Sequence, residues 1–138
     1  MLLKKNENRC YRLLMSMYPD VEIKHPYHIK EKIYDEDGKL IRNYILVDFY
    51  MKIGDVEWAV EYNGGQHFRI VKKWGGAIGA KEKLRQQKIR DKWLKNYCLE
   101  HNIRLISIDG RKIRGEKKIK AELKKQFKSL NKKAPKNI

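Results

Sequence analysis

Residues 45–67 read ILVDFYMKIGDVEWAVEYNGGQH, and how this stretch folds decides the rest of the chain. Two runs rich in β-branched and aromatic residues flank the tripeptide IGD at 53–55, whose Gly-Asp pair signals a tight reversal. We therefore expect a strand over 44–51 and a second strand, VEWAVEY, over 56–62. Alternation places Leu46, Asp48 and Tyr50 on one face of the first strand, and Glu57, Ala59 and Glu61 on one face of the second. Asp48 and Glu61 meet across the hairpin only if the register brings these two sets to the same side, which alternation leaves open. Strands disfavour aspartate, so Asp48 inside ILVDFY calls for a reason.

Upstream, Cys10, Leu13, Leu14 and Met17 recur at helical spacing between Asn6 and Tyr18, and Pro19 stops the pattern. Glu7 precedes Cys10 by three residues and Leu14 by seven, so it points along the buried stripe. Residues 21–34, broken by Pro26, read as extended chain with room for a short edge strand, and DEDG at 35–38 is a turn. Downstream, VKKWGGAIGA at 71–80 carries three glycines and no period, and reads as a mobile loop. A long helix over roughly 80–101 follows, with Leu84, Ile89, Trp93, Leu94 and Tyr97 forming an apolar arc and Asp91 on its flank. IRLISI at 103–108 is a short strand ended by Asp-Gly, and residues 115–130 form an amphipathic helix with Ile119, Leu123, Phe127 and Leu130 on one face. The long crossover predicts a parallel strand pair. The expected architecture is α/β, a mixed sheet flanked by helices.

A chain of 138 residues with 41% apolar content supports one core, hence a single domain, with residues 111–138 as its basic C-terminal helix and tail. The formal charge is +16, and the segment from Arg111 onward, with twelve basic and two acidic residues, supplies +10 of it. Such a surface favours a polyanionic partner, nucleic acid first. No run of about 18 apolar residues exists, and MLLKKNENRC lacks the apolar core of a signal peptide, so we expect a soluble, cytoplasmic protein without a membrane partner. Cys10 and Cys98 are too few and too far apart for a disulfide framework or a zinc site, and read as buried thiols.

Two carboxylates on neighbouring strands repel each other and stay ionised beside a cation; hard oxygen ligands of this kind suit Mg²⁺, with Mn²⁺ as a substitute. In a basic chain the natural substrate for such an ion is a phosphodiester, whose oxygen it polarises while an imidazole takes a proton from water. His67, six residues past Glu61 and just beyond Gly-Gly, is placed to be that base. Asp91 and Glu7 can add a ligand or orient the histidine.

The ordered set Glu7, Asp48, Glu61, His67 and Asp91, with DFY on one strand, E-Y-N-G-G-Q-H leaving the next, and then KIRDKWLKNYCLEHNIRLISI, resembles the Vsr-like branch of the PD-(D/E)XK nucleases. That branch includes very-short-patch repair endonucleases and the phage homing endonucleases called EDxHD. The resemblance covers roughly residues 5–108 and implies a restriction-endonuclease-like fold, with residues 1–110 as the nuclease core. It assigns metal binding to Asp48 and the base to His67, matches Glu7 and Asp91 to the helical acids, and puts Glu61 at the family's variable position. Two departures stand out. Asn63 occupies the place where a standard site has lysine, which leaves transition-state charge to Lys72, Lys73 or the metal. The zinc-ligand spacing of repair members is missing, which favours a phage-type enzyme over mismatch repair.

Each residue alone has a plainer account. Asp48 can be a satisfied strand-end acid, Glu61 a solvated edge residue, His67 a hydrogen-bonding loop histidine, Asp91 an i,i+4 partner of Lys95, and Glu7 a first-turn acid favoured by the helix dipole. Their joint order shifts the balance. The sequence thus predicts a Mg²⁺-dependent endodeoxyribonuclease acting on double-stranded DNA in a bacterial or phage-infected cell, with Asp48 and Glu61 as metal ligands. Asn63, Lys72, Lys73, Arg85, Lys88, Lys117, Lys118 and Lys124 are the candidate phosphate contacts, and Trp74, with Phe68, the candidate base contacts. A non-catalytic nucleic-acid-binding module, or a nuclease acting on RNA or branched DNA, is the alternative; a homodimer is compatible with either.

Overall fold

The computed structural model describes residues 5–63 and 76–132. Three helices are present among these residues: α1 (Lys5–Met17), α2 (Gly76–Glu100) and α3 (Glu116–Lys132). The strands are β1 (Ile23–Lys24), β2 (Tyr27–Ile29), β3 (Ile33–Tyr34), β4 (Leu40–Arg42), β5 (Ile45–Val47), β6 (Phe49–Ile53), β7 (Val56–Asn63) and β8 (Ile103–Asp109). A four-stranded mixed sheet has the order β1-β6-β7-β8, antiparallel except for the β7–β8 pair, which is parallel as the α2 crossover requires. Two small ribbons, β2–β5 and β3–β4, stand beside it.

The faces of the sheet are covered for a reason visible in the strands. Phe49, Met51, Trp58, Val60, Ile106 and Ile108 project to one side and pack against Cys10, Leu13 and Leu14 of α1 and Ile119, Leu123 and Phe127 of α3. On the other side Ala59 and Ile103 meet Leu94 and Cys98 of α2, together with Ile29, Ile33, Ile45 and Val47 from the ribbons. The mixed sheet between helices is the expected fold. Both cysteines are buried free thiols. No helix among the described residues is long and apolar enough to cross a membrane.

Three local expectations need correction. The single strand over 44–51 is two strands, broken by a bend at Asp48: β5 pairs with β2 and β6 with β1 and β7, so the chain changes sheets at the acid. An aspartate at a bend escapes the ladder in which it fits poorly. Residues 21–34 hold three short strands, because each finds its own antiparallel partner across a turn or on the sheet edge. Residues 76–80, read as loop, are the first turns of α2; Ala80 is fully buried, and its packing outweighs the helix-weakening of Gly76 and Gly79, about 1 kcal/mol each. Residues 71–75 of that segment lie outside the described residues.

Candidate active site

The hairpin sets the geometry. Gly54 takes φ +62° in a two-residue turn that pairs Ile53 with Val56, and the register runs back to Phe49 opposite Val60. Asp48 and Glu61, the next residues on the two strands, line one cleft, and the charge of Glu61 acts on Asp48, so the two acids share a site. Asp48 has left the ladder, and its Oδ2 accepts the Tyr62 backbone N–H at 2.7 Å in place of a main-chain partner. Its carboxyl is pushed up from 3.8 to about 7, chiefly by burial, then by the charges of Glu61 and Glu7; the Tyr62 N–H and Arg90 pull the other way. Glu7, in the first turn of α1, therefore belongs to the cluster. The same acids act on Cys10, whose thiol is pushed up to about 12, first by burial and then by Asp48 and Glu7.

Glu61 is 4% exposed and is held by Arg90 of α2, itself 7% exposed. The contact is a two-pronged fork: Arg90 Nη1 donates to Glu61 Oε1 at 2.7 Å and Nη2 to Oε2 at 2.9 Å. Nη1 also donates to Asp91 Oδ1 at 3.0 Å, and Nη2 to the carbonyl of Leu46, the residue two before Asp48. Gln87 Nε2 donates to the same Asp91 oxygen at 3.1 Å. Burial disfavours the Arg90 charge, but Glu61 and Asp91 outweigh it and raise its pKa. Asp91 thus joins the site through Arg90 and Gln87.

Arg90 is the site residue that sequence reasoning missed. Its signal was available: it precedes Leu94 and Cys98 by four and eight residues, on the stripe of α2 that faces the sheet. A cation on a buried stripe implies a buried acid, by the argument already applied to Glu7.

A cleft of about 170 Å³ opens onto this cluster, lined by Asp48, Glu61, Gln87 and Arg90 and rimmed by Arg42, Tyr44 and Leu46. A larger groove of about 620 Å³ runs between α2 and β8; Glu61, Asn63 and Asp91 stand at one end and Leu94, Leu99, Ile103 and Leu105 line its length, without reaching Asp48. Asn63 donates from Nδ2 to Ser107 Oγ at 3.2 Å, while its Oδ1 is buried with no hydrogen-bond partner among the described residues.

The candidate phosphate contacts are distributed unevenly. Lys88 of α2 and Lys117, Lys118 and Lys124 of α3 are exposed. Arg85 directs Nε and Nη2 to Glu82, at 3.0 and 2.8 Å, and Nη1 to Glu36 at 2.6 Å, which ties α2 to the β3–β4 turn. His67, Lys72, Lys73 and Trp74, with Phe68, lie outside the described residues. A second acidic group, Asp35, Glu36 and Asp37, gathers in that turn with ligand atoms within 4.8 Å of one another. Its arrangement is that of a turn: Asp35 Oδ1 accepts the N–H groups of Asp37 and Lys39 at 2.9 and 2.8 Å.

Comparison with family models, with curated proteins and with solved structures finds no match to this chain. The functional reading rests on the residues themselves.

Proposed function

We propose that the protein is a Mg²⁺-dependent endonuclease that hydrolyses phosphodiester bonds of double-stranded DNA, as the resemblance to the Vsr-like nucleases implies. One observation carries the reading: Asp48 sits half-buried in a cleft shared with Glu61 and in the field of Glu7, so its ionised form is disfavoured in the chain alone. A divalent cation removes that penalty. The donor set fits a hard ion such as Mg²⁺ or Mn²⁺, being carboxylate oxygen at the mouth of a small polar cleft.

Asp48 is the carboxylate assigned to the ion, and Glu7, Glu61 and Asp91 supply the surrounding negative field. When bound, the ion supplies Lewis-acid polarisation of a phosphoryl oxygen. The Tyr62 N–H fixes the Asp48 carboxylate in place, and the bend between β5 and β6 presents it at the sheet's end rather than within it. His67 is assigned the proton-accepting role by the resemblance. The exposed lysines of α3, part of a chain with formal charge +16, are suited to duplex phosphates.

A non-catalytic nucleic-acid-binding module is favoured by one observation, the Arg90 fork on Glu61, which shows that an acid of the set can serve the fold. Supercoiled plasmid incubated with Mg²⁺ separates the two. Cleavage that is lost with EDTA and in Asp48→Asn and His67→Ala supports the nuclease; retention of plasmid without cleavage in a folded, Mg²⁺-loaded sample supports the binding module.

A further inference from the structure

Glu7 and Glu61 act on Asp48 through their charge, and Glu61 and Asp91 share Arg90, so four carboxylates lie near one end of the sheet, although among the described residues no three of them bring ligand atoms within 4.8 Å of one another. Here a cation of another kind is already present. Arg90 is buried and both of its Nη atoms donate twice, to the two oxygens of Glu61, to Asp91 and to the Leu46 carbonyl. A guanidinium cannot lose its proton in a protein, and this one cannot swing away without leaving Glu61 buried and unpaired.

We propose that Arg90 is the built-in second cation of this site: it claims Glu61 and Asp91 as its own partners and restricts the centre to a single divalent ion, held on Asp48. The inference rests on the nuclease reading above and deepens it. A second ion drawing on Glu61 or Asp91 would lie against the guanidinium, losing both to competition and to like-charge repulsion, which leaves Glu7 as the one further carboxylate of the set beside the ion on Asp48. Arg90 is therefore a positioning residue. It holds Glu61 flat against α2 and, through the Leu46 carbonyl, fixes the strand that delivers Asp48. The position two residues after Glu61 is Asn63 and carries no charge, so the positive charge enters the site from α2 rather than from β7.

Mn²⁺ titration of the full chain, followed by the electron paramagnetic resonance of the free ion and by calorimetry, tests this without any need for cleavage. The expected result is one ion per chain in the wild type. Glu61→Gln keeps that one site, weakened by about 10–100-fold, as befits a partner outside the coordination sphere. Asp48→Asn has no saturable site. If Glu61→Gln does not fold, Asp91→Asn neutralises the other carboxylate held by Arg90, on a more exposed side chain, and tests the same point, again with one ion expected. Two ions in the wild type, or loss of the site on neutralising Glu61 while Asp48→Asn keeps it, overturns the role given to Arg90 and leaves the nuclease reading standing. No ion in the wild type overturns both.

Discussion

Asp48→Asn is expected to stabilise the metal-free protein at pH 8 while removing the proposed cleavage. The unfolded chain releases the Asp48 proton near 3.8, whereas the folded protein keeps it to about 7. Between those values the folded state binds more protons than the unfolded, so wild-type stability falls as pH rises from about 4 to about 7 and stays lowered above. At about 1.4 kcal/mol per unit, a shift of about three units amounts to roughly 4 kcal/mol at pH 8. Asparagine cannot ionise, and its side-chain carbonyl can still accept the Tyr62 N–H. Urea denaturation followed by circular dichroism, in EDTA at pH 4, 5, 6, 7 and 8, gives the comparison, because titrations remote from Asp48 cancel in the difference between variant and wild type. The variant should gain about 1.4 kcal/mol per pH unit relative to wild type across this window, with a plateau above pH 7. Added Mn²⁺ should close the gap by stabilising the wild type alone. A difference that does not change with pH, or a variant less stable than wild type at pH 8, refutes the placement of Asp48 in a field of like charges.

Arg90→Ala leaves Glu61 buried without its counter-ion and should cost about 3–5 kcal/mol in urea denaturation, more than Arg85→Ala, whose close partners Glu36 and Glu82 are exposed and whose one buried partner, Asp35, stands 3.6 Å away with backbone N–H groups of its own. Cys10 and Cys98, each pushed up to about 12, first by burial, should resist thiol reagents in the native state and react only on unfolding, which a timed labelling in rising urea reads directly. Gly110→Ala should destabilise by about 1–3 kcal/mol, because a Cβ there would stand 2.7 Å from the Asn63 carbonyl and 2.8 Å from the Tyr62 ring at the end of β7; equal urea midpoints would refute it. Replacing Lys117, Lys118 and Lys124 by alanine should lower the slope of log affinity for duplex DNA against log salt by about one for each phosphate no longer neutralised, up to about three, while an unchanged slope would clear α3 of a phosphate role.

What the sequence discloses, and what it hides, follows the range of the forces involved. The β6–β7 hairpin is legible because Ile53-Gly54-Asp55-Val56 dictates a local turn and alternation does the rest; the turn then sets the register that brings Asp48 to Glu61. The parallel β7–β8 pair is legible because a helix of this length allows no other return. The bend at Asp48 is only half legible: the aspartate marks a weak point in ILVDFYM, but the break arises because β2 pairs with one half and β7 with the other, which no local pattern encodes. The start of α2 is hidden by the glycines, whose helical cost is overridden by the burial of Ala80. The burial of Arg90 is legible from the stripe of α2, but its partner is hidden because Glu61 is 29 residues away in sequence, across a crossover whose angle no local pattern encodes.

Glu61 and Asp48 also decide where function is to be sought. Glu61 has a complete account within the fold: both oxygens are bound, the counter-charge is buried with it, and the pair would be the same in a protein that catalysed nothing. Asp48 does not. Burial and two carboxylates act against its charge, while the Tyr62 N–H and the field of Arg90 support it without cancelling the penalty. A chain shaped for stability alone would place an amide or an apolar group at that bend. Natural proteins keep such local conflicts where chemistry requires them, so the acid that the fold does not need is the one assigned to the metal.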